Sequence, residues 1–203
     1  MRRILWFAGG AFALAILLAV GGLIYIKLFA HGFTARARPT SLEVFAAGMA
    51  RSAAMPAGAE ERQNPEPASD EVLSEARAHW ADHCATCHGN DGSGNVLMGR
   101  QMYPPAPDMR KEGTQKKTDG ELFYIIENGV RLTGMPAWGG SAHSEEDSWK
   151  LVRFIRHLPA MTTEERREMA KLNPKTPDEL KEEEEEEQFL KGEINEPKEH
   201  HHH

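Results

Sequence analysis

From Ile4 to Ile26 the chain runs for 23 residues without a charged side chain, built mainly from Leu, Ile, Ala and Val. As a helix this stretch reaches about 34 Å, enough to cover the apolar core of a bilayer. It removes residues 1–29 from any globular core and predicts a single membrane-spanning helix. A cleaved signal has an apolar region of about 7 to 15 residues with small residues close behind it. Here only Ala35-Arg36-Ala37 resembles such a site, so the reading is an uncleaved anchor. Arg2 and Arg3 on one side face Lys27, Arg36 and Arg38 on the other, and charge alone does not orient the segment.

The rest of the chain is acidic. Of the 24 Lys and Arg and 31 Asp and Glu, five basic and no acidic residues fall within residues 1–38, so the remainder carries −12. That balance argues against nucleic acid as a partner. A hydrophobic share of 40% in 203 residues suits one compact domain with appendages, and two cysteines exclude a disulfide-stapled miniprotein. Residues 30–69, with prolines at 39, 56, 65 and 67 and small residues around Ala53 to Ala59, read as a tether. Within it, Leu42, Val44, Phe45 and Met49, followed by Arg51, make a short amphipathic pattern. Three readings stand open for that piece: it rests on the membrane, packs back on the domain, or forms only transiently in a solvated linker.

Residues 70–159 have the density of a domain. Ser69-Asp70 offers an N-cap, and Val72, Leu73, Ala76 and Trp80 recur at helical spacing up to Cys84. Glycines and prolines between His88 and Thr118 predict loop. A second helix is expected from about Asp119 to Asn128-Gly129, and a third from Ser144 to Leu158, stopped by Pro159. Residues 160–203 read as an acidic tail, with a capping box at Thr162 to Glu165 and a six-glutamate run from Glu182 to Glu187. The run reads as a solvated or isolated helical segment, or as a surface that steers a basic redox partner. His200 to His203 are a purification tag or a metal-binding tail, and are left out of the fold reading.

Both cysteines sit in one motif, Cys84-Ala85-Thr86-Cys87-His88. At a helix end, positions i, i+3 and i+4 share a face. Two thiols then reach both vinyl groups of one haem while the adjacent imidazole approaches the iron from the same side, the signature of covalent c-type haem attachment. Three other readings compete: a redox dithiol, a structural zinc site completed by His83 or His79, and plain buried cysteines. The first of these normally opens a helix within an α/β pattern, which this chain lacks. For a sixth ligand, Met135 in Thr133-Gly134-Met135-Pro136 is best placed, because Gly134 permits close approach, Pro136 stiffens the loop and a thioether suits the iron of an electron carrier. Met98, Met102 and Met109 are weaker thioether candidates, and His143 or His157 would give bis-histidine ligation.

On these residues, 70–159 resembles a class I cytochrome c domain, with Cys84, Cys87, His88 and Met135 at the family's haem positions. The resemblance covers about 90 of 203 residues. It implies an all-α fold around one covalently attached haem c, preceded by the spanning helix and followed by the acidic tail. It implies a crossing of the first and last helices, where Trp80 faces Trp149 with Phe154, and a proline carbonyl, from Pro105 or Pro107, that accepts the His88 ring N–H. It implies an electron carrier rather than an enzyme, tethered to the bacterial inner membrane with its haem domain on the periplasmic side. Its partners would be redox proteins, a respiratory complex among them. Two alternatives remain: a haem-bearing subunit of a larger membrane oxidoreductase, and a haem enzyme or small-molecule sensor in which Met135 leaves the iron open. Arg100, Arg131 and Trp138 are candidates for bonding the haem propionates, whereas His79, His83, His143 and His157 read as structural.

Overall fold

The computed structural model describes residues 2–29, 34–140, 144–174 and 177–191, and among them all regular structure is helical, with no β-strand. His143 and His200 to His203 lie outside the described residues. Helix α1, Arg2–Phe29, is long and apolar enough to cross a membrane, with a mean hydropathy of 2.3 over its apolar window and none of that window buried. Helix α2, Ser41–Ala53, opens on a capping box in which Thr40 accepts from the Glu43 N–H and Glu43 bonds the Thr40 N–H.

The domain begins with α3, Asp70–His79, capped as expected by Ser69 on the Val72 N–H. The sequence pattern ends this helix at the cysteines; the chain instead continues through a π-helical turn, Trp80–Cys84, into α4, Ala85–His88. One extra residue in that turn rotates the α4 segment about the helix axis, so that Trp80 and His88 both point inward and both are buried. Gly89, at φ +75°, ends the helix, and the Trp80 indole N–H bonds its carbonyl at 3.0 Å. Short helices α5, Leu97–Gln101, and α6, Glu112–Gln115, interrupt the loop region. Helix α7 spans Asp119–Asn128; its cap is Thr118, one residue before the expected Asp119, in a box with Glu121.

Helix α8, Glu145–His157, opens on Ser144 with Asp147 and buries Trp149, Leu151, Val152, Phe154 and Ile155. It packs along α3 and α7, which sets the core. The expected helix crossing is present in part: Trp80 meets Phe154 with ring centroids 5.3 Å apart. Trp149, however, turns away from that crossing and stacks on Phe123 at 4.1 Å. The physical reason is Arg62, whose guanidinium lies over both rings, 4.3 Å from the Phe123 centroid and 5.3 Å from that of Trp149.

Arg62 belongs to the stretch whose composition reads as tether. From Ala59 to Glu66 this stretch is strapped to the domain: Ala59 is buried, the Asn64 amide donates to the Trp149 carbonyl, and Arg153 donates to the Glu66 carbonyl at 2.8 Å. Gly120 makes room for it, because a Cβ there would meet the Ala59 carbonyl oxygen at 2.0 Å. The core likewise extends past Pro159. Helix α9, Thr163–Ala170, drives Met169 fully into it, and Glu165 bonds His157 at 2.8 Å. Helix α10, Pro177–Leu190, carries the acidic run and has i,i+4 pairs from Lys181 to Glu185 and Lys191 to Glu187.

Candidate functional site

The π-helical turn ends on Cys84 and α4 carries Cys87 and His88, so the three stand at i, i+3 and i+4, positions that share a helix face. Both thiols are free, with no disulfide between them. Burial pushes the Cys84 thiol up to about 12, with the neighbouring Cys87 adding to the shift, and burial also raises Cys87. Both are therefore neutral thiols at pH 7. His88 is only 8% exposed, and burial holds it neutral by pushing its pKa down to about 4. Its Nδ1 is buried without a hydrogen-bond partner. A neutral imidazole is the form that binds a metal, and the second ring nitrogen normally finds an acceptor that fixes its orientation.

The proline carbonyls expected to fill that role do not bond His88. Pro107 and Ala106 instead turn their carbonyls toward Gly94, where a Cβ would meet them at 3.2 and 2.4 Å. The loop between them and the motif is tightly tied. The Gly94 N–H donates to the His88 carbonyl at 2.7 Å, the Met109 N–H to Gly92, and the Ala106 N–H to Gly99. Gly99 lies against Cys87, whose carbonyl oxygen would stand 2.2 Å from any Cβ placed there.

Arg110 clasps the loop shut. Its guanidinium bonds both oxygens of Asp108, at 2.8 and 3.0 Å, and reaches Asp91 at 2.9 Å. The hydrogen bonds from Arg110 hold the Asp108 carboxyl well below its usual range, at about 2. A carboxyl depressed in the folded state lends stability that is complete above its unfolded value and is lost as pH falls through the folded one. Thermal stability is thus expected to decline between about pH 4 and pH 2, and Asp108→Asn should flatten that part of the profile. Melting curves across the acid range, wild type against variant, check this.

Met135 sits partly buried on the loop between α7 and α8. Its N–H donates to the Thr133 hydroxyl at 3.1 Å and its carbonyl accepts from Val130 at 3.1 Å. Trp138 and Gly139 then return to the end of α7, donating to Ile126 and Glu127. Gly134 lies directly against a second thioether: a Cβ there would meet the Met102 sulfur at 2.6 Å. The fold therefore brings a second thioether, Met102, to the Met135 loop. No local pattern marks this pairing, since the two segments are joined only through the tertiary fold.

The other candidates disperse. Met98 is exposed, Met109 packs against the core, and His157 is held by Glu165. Arg100 bonds Asn95, Arg131 is exposed, and Trp138 lies 5.4 Å from His83 between ring centroids. His79 and His83 meet edge to face at 5.0 Å, while His83 also pairs with Asp82 at 3.1 Å. Among the described residues no cluster of three or more His, Cys, Asp or Glu is placed to hold a metal ion.

A helical domain closed by a Trp80–Phe154 crossing, with two free thiols and a buried neutral imidazole at one helix end, is the architecture of a haem-binding cytochrome c domain. Residues 71–155 match the family model described as cytochrome c oxidase, cbb3-type, subunit III, and this part of the chain is a cytochrome c domain. The chain is also similar to a thiosulfate dehydrogenase of Stutzerimonas stutzeri (strain A1501), 25% identical over 93 residues. The match covers 45% of this chain and 29% of that protein. A cytochrome c domain implies haem c, and the unpaired thiols and the orphaned His88 nitrogen fit such a group.

Proposed function

We propose that this protein is a membrane-tethered carrier of single electrons. Residues 1–29 anchor it, residues 30–69 join the anchor to the domain, residues 70–159 hold the haem with segments 59–66 and 163–172 packed upon them, and the acidic tail follows from residue 160. Cys84 and Cys87 would carry one haem through thioether bonds, and His88 and Met135 would be the side chains that hold its iron. Bound in this way, the haem supplies a one-electron couple whose reduction potential a thioether ligand raises. The chain's own residues do the rest: the buried His88 stays neutral, the Arg110 clasp keeps the loop beside it closed, and the Val130 and Thr133 bonds fix the approach of Met135. Held by both His88 and Met135, the iron would offer no place to a substrate, so the reading is an electron carrier.

The observation that carries this reading is the helix end itself, where two unpaired thiols and a buried imidazole whose Nδ1 has no hydrogen-bond partner occupy adjacent turns. The side of the membrane comes from the chemistry, because c-type haem attachment belongs to the outer face of an energy-transducing membrane. The N-terminus is then cytoplasmic and the domain periplasmic. The test is denaturing electrophoresis of the membrane fraction and then haem staining: a stained band at the mass of the chain plus one haem is expected. Haem that leaves on acid-acetone extraction overturns covalent attachment.

A second reading, a haem-bearing subunit of a larger oxidoreductase, is favoured by the description of the matching family as an oxidase subunit. Co-purification in mild detergent separates the two. A free-standing shuttle migrates alone, and a subunit brings stoichiometric partners.

A further inference from the structure

Helix α2 forms on local grounds, closed by its own capping box and rich in alanine, yet no residue of it is buried. Its large apolar side chains remain open: Leu42 is 75% exposed, Phe45 63% and Met49 60%. At 100° per residue these three fall within about 60° of one another, joined by Ala46 and Ala53, so they form a single stripe. Val44, also exposed, lies off that stripe. Glu43 stands about 100° from Leu42, outside the stripe, and its carboxylate is engaged by Thr40 in the capping box. Among the described residues nothing buries the apolar stripe.

Two further observations say what covers the stripe. Residues 30–40 alone separate the end of α1 from the start of α2, a span of at most about 40 Å even if fully extended, so α2 stays close to the surface from which α1 emerges. Charge is the second. Between Lys27 and Ala53 the chain carries Lys27, Arg36, Arg38 and Arg51 against the lone acid Glu43, whereas the chain beyond is strongly acidic. An apolar-striped helix behind a basic segment, Lys27 to Arg38, in an otherwise acidic protein complements anionic headgroups over an acyl layer.

We propose that the Leu42–Phe45–Met49 stripe of α2 lies in the outer lipid surface of the membrane that α1 crosses, with Arg36, Arg38 and Arg51 at the headgroups. This deepens the tethered-carrier reading and rests on its anchor. The helix converts a single attachment into a two-point one, one spanning and one flat.

The test uses the full-length, haem-loaded protein, one copy per nanodisc, in phosphatidylcholine with about a third phosphatidylglycerol and a trace of phospholipid carrying a diazirine near the top of its acyl chain. Photolysis, trypsin and mass spectrometry then map the lipid adducts. Tryptic peptide 37–51 is expected to carry at least about ten-fold more adduct than the domain peptide 118–131. In the triple variant Leu42→Glu, Phe45→Glu, Met49→Glu that excess should fall at least about five-fold, while peptide 4–27 from α1 stays labelled. If 4–27 is labelled and 37–51 remains at the domain's level, the stripe is covered by the domain or left in water; the proposal falls and the anchor stands. If neither peptide is labelled, the anchor falls and takes the proposal with it. Single-copy discs exclude a second chain as the cover.

Discussion

Phe154→Ala is expected to cost about 3–5 kcal/mol, a large part of what holds a domain of this size together. Phe154 is fully buried in α8, and its ring meets that of Trp80 at 5.3 Å across the packing of α3 on α8. Removing it empties the junction that also positions His88, since Trp80 lies 5.8 Å from the His88 ring and holds the helix end through the Gly89 carbonyl. The cavity cannot collapse easily, because Leu151, Val152 and Ile155 around it are themselves pinned at 3% exposure or less. For a domain of about 100 residues each kcal/mol moves the thermal midpoint by about 4–8 °C, so a fall of well over 10 °C is expected. Thermal melts of the haem-loaded protein measure it. A shift worth less than about 1 kcal/mol would mean that the crossing is not where the core's stability resides.

The parts of this domain that were legible in the sequence are those with local causes. The motif at Cys84, Cys87 and His88 needs only the helical repeat to bring its side chains together, and Ser69, Ser144 and Thr162 declare their helices by capping chemistry. The parts that were missed join residues far apart in the chain. Arg62 lies in a Pro- and Ala-rich stretch that composition marks as linker, and only the Phe123–Trp149 stack gives it a place to dock. Met169 comes after Pro159, where the hydrophobic repeat has faded, yet it is fully buried because α9 folds back and ties His157 to Glu165. The π-helical turn at Trp80–Cys84 is likewise invisible to a 3.6-residue pattern, although it sets the rotation of the whole motif. Charge pairs behave the same way: nothing near Arg110 in sequence announces Asp91, but together they close the loop beside His88.

Met135→Ala is expected to open the iron of the loaded protein to added ligands such as imidazole, to lower the reduction potential, and to remove the weak near-infrared band of sulfur-to-iron charge transfer. The expectation turns on a loop built for one side chain. Val130 and Thr133 bond the backbone of Met135, Gly129 at φ +65° leaves room for the Pro136 backbone, and Trp138 and Gly139 fasten the far side to α7. Alanine keeps every one of those backbone bonds, so the fold should persist and the loss should be confined to the thioether. The structure also supplies a rival, because Met102 carries its sulfur to Gly134. Two variants therefore belong in one experiment. If Met135→Ala loses the band and gains exogenous ligands while Met102→Leu retains the wild-type spectrum and potential, Met135 is the sixth ligand and Met102 only packs the glycine beside it. If Met135→Ala leaves spectrum and potential unchanged and Met102→Leu abolishes the band, the ligand is Met102, delivered by the short α5 segment instead of the α7–α8 loop.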